Sequence, residues 1–183
     1  LHYGLPGFSD ALTVSRSLIK NSSTHHADPV RSLAEVNAEI VPDNEMCMFA
    51  TVFYGLYQLS TGTLTYVSAG HPSTLLRRAD GQVIALPKVS GRAVGITDDL
   101  DLHTGQVAMA PGEVLLLFTD GLDEAIDRQD QMYGQERAQQ WLAGAAIAQA
   151  PAMLQSLIEH WRGFTGEVEQ FDDLTLLTFR RRQ

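Results

Sequence analysis

The chain is poor in cysteine and in positive charge. Its single cysteine, Cys47, excludes an intrachain disulfide framework and a cysteine-ligated zinc site, and it fits a reducing, cytoplasmic compartment. Thirteen Lys and Arg stand against 22 Asp and Glu, which gives a formal net charge of −9. This balance argues against a nucleic-acid partner, because binding a phosphate backbone requires a basic surface.

Long apolar runs and targeting signals are also lacking. No stretch approaches the roughly 20 apolar residues that span a bilayer, so we expect no membrane insertion of this domain. The start, "LHYGLPGFSD", has no signal-peptide pattern and no initiator methionine, which suggests a fragment of a longer chain. With 183 residues, 44% of them hydrophobic, we expect one domain with a sizeable core over residues 1–183.

Hydrophobic periodicity predicts helices towards both ends of the chain and strands between them. The predicted helices cover 9–20, 28–40 (capped by Asp28, with Pro29 in the first turn), 133–150 and 150–164. The predicted strands lie within 46–59, 64–70, 73–86 (a hairpin turning at 79–81), 102–109, 114–120 and 171–180. This order favours an α+β fold with antiparallel sheets over a doubly wound parallel sheet. Several strands are apolar on both faces, so we expect two packed sheets flanked by helices.

Two of these strands carry Asp at one end. The strand in "LLLFTDG" ends on Asp120, and the strand in "FDDLTLLTF" begins on Asp172 and Asp173. If the strands are antiparallel neighbours, the three carboxylates share one sheet edge. Close carboxylates repel, and Mg²⁺ or Mn²⁺ relieves that repulsion. The alternative is that these Asp residues, including the Asp-Gly pair at 120–121, only form turns.

His71, in "SAGHPS", follows the strand at 64–70. A lone histidine is more often a packed residue than a ligand, so a structural role is favoured on physical grounds. The neighbouring Gly70 and Pro72 indicate a backbone turn.

Five motifs together resemble one family. They are "MFATVFYGLYQLSTGTLTYVSAGHPSTLL", "GRAVGI", "PGEVLLLFTDGLDEA", "YGQER" and "FDDLTLLTF". Their order and spacing resemble those of the metal-dependent protein phosphatases (PPM, or protein phosphatase 2C-like), in the bacterial branch of SpoIIE and RsbU. The resemblance implies an antiparallel β-sandwich with helices on both outer faces, in α/β/β/α layers, and we expect this chain to lack N-terminal strands of that sandwich.

The resemblance also implies an activity and a site. Members hydrolyse phosphoserine or phosphothreonine with water activated by two Mn²⁺ or Mg²⁺ ions, so no catalytic side chain is expected. By position, Asp120 and Asp172 would bind metal, while Gly121, Asp173 and His71 would lie near it. The implied substrate is a phosphorylated regulatory protein of the anti-sigma-factor antagonist type. The domain would be the C-terminal part of a larger regulator with an upstream receiver or sensor domain.

An alternative function follows from one departure from the family pattern. The family has a Gly-Asp-Val-x-Gly-(His/Lys)-Gly stretch before its first helix, and the Asp of that stretch bridges both metals. Aligning "GFSDAL" on the family pattern puts His2 at that position, and aligning "GLP" instead leaves the Asp off the chain. Asp10 lies too far into the predicted helix to replace it. The alternative is therefore a pseudophosphatase that docks the same partner without hydrolysing it.

Overall fold

The computed structural model describes residues 28–44, 49–89, 91–146 and 149–182. The predicted helix at 9–20, Cys47, and the positions aligned with the family's metal-bridging motif lie outside the described residues. The chain forms two compact units. The first takes in residues up to His71 together with Pro87–Ala108, and the second comprises Pro72–Leu86 and the residues from Met109 onward.

The described elements are one helix, six consecutive short strands, three further helices and a last strand. In chain order they are α1 (Pro29–Ile40), a 3₁₀ turn (Val41–Asp43), β1 (Val52–Gln58), β2 (Thr63–Ala69), β3 (Leu75–Arg77), β4 (Val83–Ala85), β5 (Gly105–Ala108), β6 (Val114–Phe118), α2 (Asp120–Asp123), α3 (Gly134–Gly144), α4 (Ala150–Thr165) and β7 (Leu176–Arg180).

The first unit combines α1 with an antiparallel sheet in the order β1-β2-β5. Helix α1 begins as predicted: the Asp28 carboxylate accepts a hydrogen bond from the Val30 backbone N–H, and Pro29 occupies the first turn. The core of this unit is formed by residues of α1, of β2 and of the loop between β4 and β5: Leu33, Val36, Val67, Ala69, Val94 and Leu100.

The strand predicted within 46–59 is confirmed as β1, but the prediction that it is buried on both faces is wrong; its first three residues, 46–48, lie outside the described ones. Strand β1 begins at Val52, and none of its residues is fully buried, with Gly55 and Gln58 exposed. Among the described strands β1 pairs only with β2, so it is an edge strand, and its apolar side chains are only half covered. The predicted hairpin with β2 is confirmed over the full register from Val52↔Ala69 to Gln58↔Thr63.

The second unit holds an antiparallel sheet in the order β4-β3-β6-β7. Strand β6 lies between β3 and β7, which is why its sequence, VLLLF, is almost continuously buried. Helices α3 and α4 share one core with this sheet, formed by Leu75, Val114, Leu116, Phe118, Leu122, Tyr133, Ala138, Leu142, Met153, Leu157 and Trp161.

The hairpin between β3 and β4 turns where the sequence predicts, with Gly81 at a φ of +93°. Helix α3 is shorter than predicted, because the chain becomes extended at Ala145 after Gly144. None of the helices in the described ranges is long and apolar enough to cross a membrane. The predicted α+β class with antiparallel sheets is confirmed; that residues 1–183 form a single domain stays a prediction.

Candidate active site

The candidate site lies where β6 ends and β7 begins. The two strands are antiparallel neighbours, which is the condition on which a shared sheet edge depends, and Phe118 lies opposite Leu176. Beyond this pair the Thr119 backbone N–H donates to the Thr175 carbonyl at 3.1 Å. The segment after β6 therefore runs beside the segment before β7, at one end of the sheet.

Thr119 fixes these two segments to each other. Its hydroxyl donates to the Asp173 carbonyl at 2.7 Å and accepts from the Thr175 backbone N–H at 2.9 Å. One side chain thus bonds the main chain on both sides of Leu174. The backbone next to Asp120 is consequently held against the loop that carries Asp172 and Asp173.

Gly121 allows this close approach. A Cβ atom at Gly121 would lie 2.7 Å from the Asp173 carbonyl oxygen and 3.1 Å from the Leu174 nitrogen, both of which are backbone atoms. The "Asp-Gly" of the motif is therefore not a hairpin turn. Asp120 begins the short helix α2 with Thr119 as its N-cap, so the expectation that a strand ends on Asp120 is corrected: β6 ends at Phe118.

Asp172 and Asp173 also lie outside their predicted strand. Strand β7 begins only at Leu176, so both residues belong to the exposed loop before it. The Asp172 Oδ1 accepts from the Asp173 backbone N–H at 2.7 Å, which is a turn-like arrangement that competes with strand pairing. Gln170 Nε2 donates to the Asp172 carbonyl at 2.6 Å and holds the loop from its other side.

Each predicted ligand keeps one carboxylate oxygen available. Asp120 uses Oδ1 to accept from the Gly121 backbone N–H at 3.1 Å, and Asp172 uses Oδ1 in the same way. Within the described ranges, the Oδ2 atoms of both residues accept no hydrogen bond. Two carboxylates of this kind suit a hard divalent cation, whose remaining positions are filled by water.

Asp123, which lies on the same short helix as Asp120, is not among the site residues predicted from the sequence. Its Oδ1 is shielded from solvent and has no hydrogen-bond partner in the part of the chain that is described. Burial raises the pKa of Asp123, and the charges of Glu124 and Asp120 raise it further, while backbone N–H groups oppose the change. A signal was present: once "DGLDE" is taken as a helical turn, its acidic residues fall at i, i+3 and i+4 on one face.

The described residues fit one cation better than two. Among them, no group of three Asp, Glu, His or Cys side chains converges tightly enough to form a ready metal site. Asp120 and the loop of Asp172 supply a pair of carboxylates, and the half-buried Asp123 adds negative charge on the same short helix as Asp120. This set offers only oxygen ligands, as Mn²⁺ and Mg²⁺ prefer.

His71 belongs to the first unit and is half-buried there. Its ring packs edge-on against Phe53 with centroids 6.2 Å apart, and its carbonyl lies 3.5 Å from the Ser68 hydroxyl. The adjacent Gly70 has a φ of +68° and packs on Ala93, where a Cβ would come within 3.2 Å of the backbone. These contacts support a structural role for the "AGH" turn.

Comparison with known proteins finds a family and close structural similarity. Residues 10–182 match the family model described as stage II sporulation protein E (SpoIIE). The chain is 31% identical over 140 residues to protein IcfG of Synechocystis, covering 75% of this chain and 21% of IcfG. It is 26% identical over 161 residues to the phosphoserine phosphatase RsbU of Bacillus subtilis, covering 84% of this chain and 45% of RsbU. The chain thus spans less than half the length of either curated relative.

Among solved structures, the SiaA-PP2C domain of Pseudomonas aeruginosa matches with a TM-score of 0.83 and 25% identity, covering 97% of this chain and 71% of that one. The phosphatase domain of SpoIIE from Bacillus subtilis, presoaked with Mn, matches with a TM-score of 0.64 and 14% identity, covering 100% and 76%. The second match shows the fold alone.

Proposed function

Because the chain belongs to the SpoIIE family, in the SpoIIE/RsbU branch of the bacterial PPM phosphatases, we propose that it is a protein serine/threonine phosphatase domain. Its substrate is a phosphorylated regulatory protein of the anti-sigma-factor antagonist type, and the domain works as the output part of a larger cytoplasmic regulator. The observation that carries this proposal is the contact of Gly121 with the Asp173 carbonyl, which joins two acidic segments at one sheet end.

Asp120 and Asp172 would hold the Mn²⁺ or Mg²⁺ on which the activity depends. A divalent cation at such a site supplies positive charge that polarises a phosphate and lowers the pKa of water towards neutrality. A complete centre of this family holds two such ions, and the described carboxylates fit one of them.

The neighbouring residues Thr119, Asp123 and Glu124 would support cation binding without being the proposed ligands. Thr119 bonds the main chain of the loop that follows Asp172, so the backbone segments that carry the two ligands are held together without a cation. Preorganisation of this kind lowers the cost of binding, because the ligands need not be ordered first. The negative charges of Asp123 and Glu124 favour a cation at Asp120 through the same electrostatics that raise the pKa of Asp123.

The second candidate is a pseudophosphatase that binds the same partner without hydrolysis. Two observations favour it: His2 takes the position of the bridging Asp when "GFSDAL" is aligned on the family pattern, and no third carboxylate completes a ligand group among the described residues. Two closely spaced cations repel, and without an anionic bridge only one is retained.

The test is hydrolysis of p-nitrophenyl phosphate and of a phosphoserine peptide with Mn²⁺, Mg²⁺ or excess EDTA. The phosphatase proposal expects phosphate release only with a divalent cation. Turnover that survives exhaustive chelation would contradict the mechanism. A folded chain that binds the phosphopeptide in the presence of Mn²⁺ but releases no phosphate would favour the pseudophosphatase.

A further inference from the structure

Phe171, which directly precedes Asp172, is 82% exposed. Among the described large apolar residues only Leu59, at 83%, is comparably exposed. Holding an aromatic ring in water forgoes the stabilisation that burial would give, roughly 25 cal/mol for each Å² of apolar surface. A ring left in this position next to a reaction site is a candidate for contact with a partner.

The main chain around Phe171 is held by its neighbours. Gln170 Nε2 donates to the Asp172 carbonyl at 2.6 Å, and the Thr119 hydroxyl donates to the Asp173 carbonyl at 2.7 Å. The ring therefore projects from a loop whose position relative to the sheet end is fixed. Such a ring offers contact area at a low entropic cost, as aromatic anchors at interfaces do.

The charge of the loop limits what can cover Phe171. The segment 166–173, "GEVEQFDD", has four acidic residues and no Lys or Arg, which disfavours an anionic membrane or a nucleic acid. Glu167 is already paired with Arg128 at 2.7 Å, and Asp172 is assigned above to the cation. Glu169 and Asp173 stay exposed as carboxylates, so the apolar contact that the loop offers a partner is the Phe171 ring.

We propose that Phe171 contacts an apolar side chain next to the phosphoserine of the protein substrate and so selects among phosphorylated sites. This proposal rests on the proposed function. Consecutive Cα atoms are about 3.8 Å apart, so a phosphoserine whose phosphate binds the cation held by Asp172 brings its own neighbours within reach of the adjacent Phe171 ring. The contact is made by residues flanking the phosphoserine, so it discriminates between substrates without taking part in the chemistry.

The test uses the 183-residue chain and three fluorescein-labelled phosphoserine peptides. They are identical except that Leu, Asn or Arg flanks the phosphoserine on both sides. Binding is followed by fluorescence anisotropy with Mn²⁺, and kcat/KM by released phosphate. We expect the Leu peptide to be favoured over the Asn peptide by about fivefold, as one partly covered apolar contact allows.

Phe171→Ser should bring the ratio of affinities, and of kcat/KM values, for the Leu and Asn peptides close to one. Phe171→Leu should retain part of the preference for the Leu peptide. The matched control is Leu59→Ser, which removes an equally exposed apolar side chain from the β1–β2 turn and should keep the ratio. An unchanged ratio in Phe171→Ser, no preference in the wild type, or a preference for the Arg peptide would overturn the proposal.

Measuring peptide binding and phosphate release separately distinguishes a failure of this proposal from a failure of the function on which it rests. If the peptides bind but are not hydrolysed, the hydrolysis proposal fails, while the ratio of dissociation constants still tests Phe171. If no peptide binds or reacts, both proposals fail.

Discussion

Replacing Gly121 by Ala should separate the two acidic segments of the site. The new Cβ would lie 2.7 Å from the Asp173 carbonyl oxygen, which must retreat by about 0.7 Å to reach the 3.4 Å of an ordinary contact. The nearby Leu174 nitrogen and Asp173 carbonyl carbon are backbone atoms too, so no flexible side chain can absorb the overlap.

The magnitude follows from overpacking and from the bonds of Thr119. Inserting a methyl group into a packed site costs roughly 1–3 kcal/mol. Moving the Asp173 carbonyl also weakens the Thr119 hydrogen bond, worth about 1 kcal/mol, while Ala at a helix start returns up to about 1 kcal/mol. A net loss of about 2 kcal/mol should lower Tm by roughly 4–8 °C in a domain of this size.

Gly163→Ala is the matched control, because nothing lies within 4 Å of a Cβ at this position inside α4. It should stabilise the chain by roughly 0.5–1 kcal/mol through helix propensity. Thermal unfolding and a Mn²⁺ titration of both variants provide the assay. A Gly121→Ala chain as stable as the wild type, with the same Mn²⁺ affinity, would refute the idea that this contact builds the site.

Two further substitutions test the site and its supporting core. Asp120→Asn should cut turnover in a catalytically complete domain by at least about a hundredfold, since a cation supplies several kcal/mol of transition-state stabilisation. The stability of the metal-free domain should stay equal or rise. The control is Asp80→Asn in the Asp-Gly hairpin turn between β3 and β4. Burial raises the pKa of Tyr133, whose hydroxyl lies 2.8 Å from Nδ1 of His160, to about 12. Between pH 10 and 12 the folded chain therefore keeps a proton that the unfolded chain releases, and its unfolding free energy falls as pH rises. Tyr133→Phe should lose about 1 kcal/mol at pH 8 but show a shallower decline towards pH 12 in urea unfolding, and equal slopes would contradict this assignment.

The sequence predicts well those features that local chemistry decides. Asp28 and Pro29 mark the start of α1, and the apolar run of β6 marks a central strand, because capping and burial on both faces leave direct traces in the sequence. The pairing of β6 with β7 was only a condition of the sequence argument, and the structure supplies it.

Features set by distant contacts were harder to predict. The chain has an Asp-Gly pair at 80–81, which forms a hairpin turn as predicted, and another at 120–121, which begins a helix. The two differ because Gly121 faces the main chain of Asp173, more than 50 residues away in sequence. Asp123 is half-buried with its Oδ1 shielded from solvent, and its helical spacing from Asp120 alone does not reveal this burial.

The most direct test of the account is a calorimetric titration of residues 1–183 with Mn²⁺, alongside Asp120→Asn and Asp172→Asn. We expect one weakly held Mn²⁺ per chain, because two carboxylates and water bind one hard cation and no bridging Asp is present for a second. Each substitution should abolish this binding while the chain stays folded. Binding that persists in both variants, or no binding in the wild type, would contradict the assignment of Asp120 and Asp172. Two tight sites per chain would mean that another residue supplies the bridge.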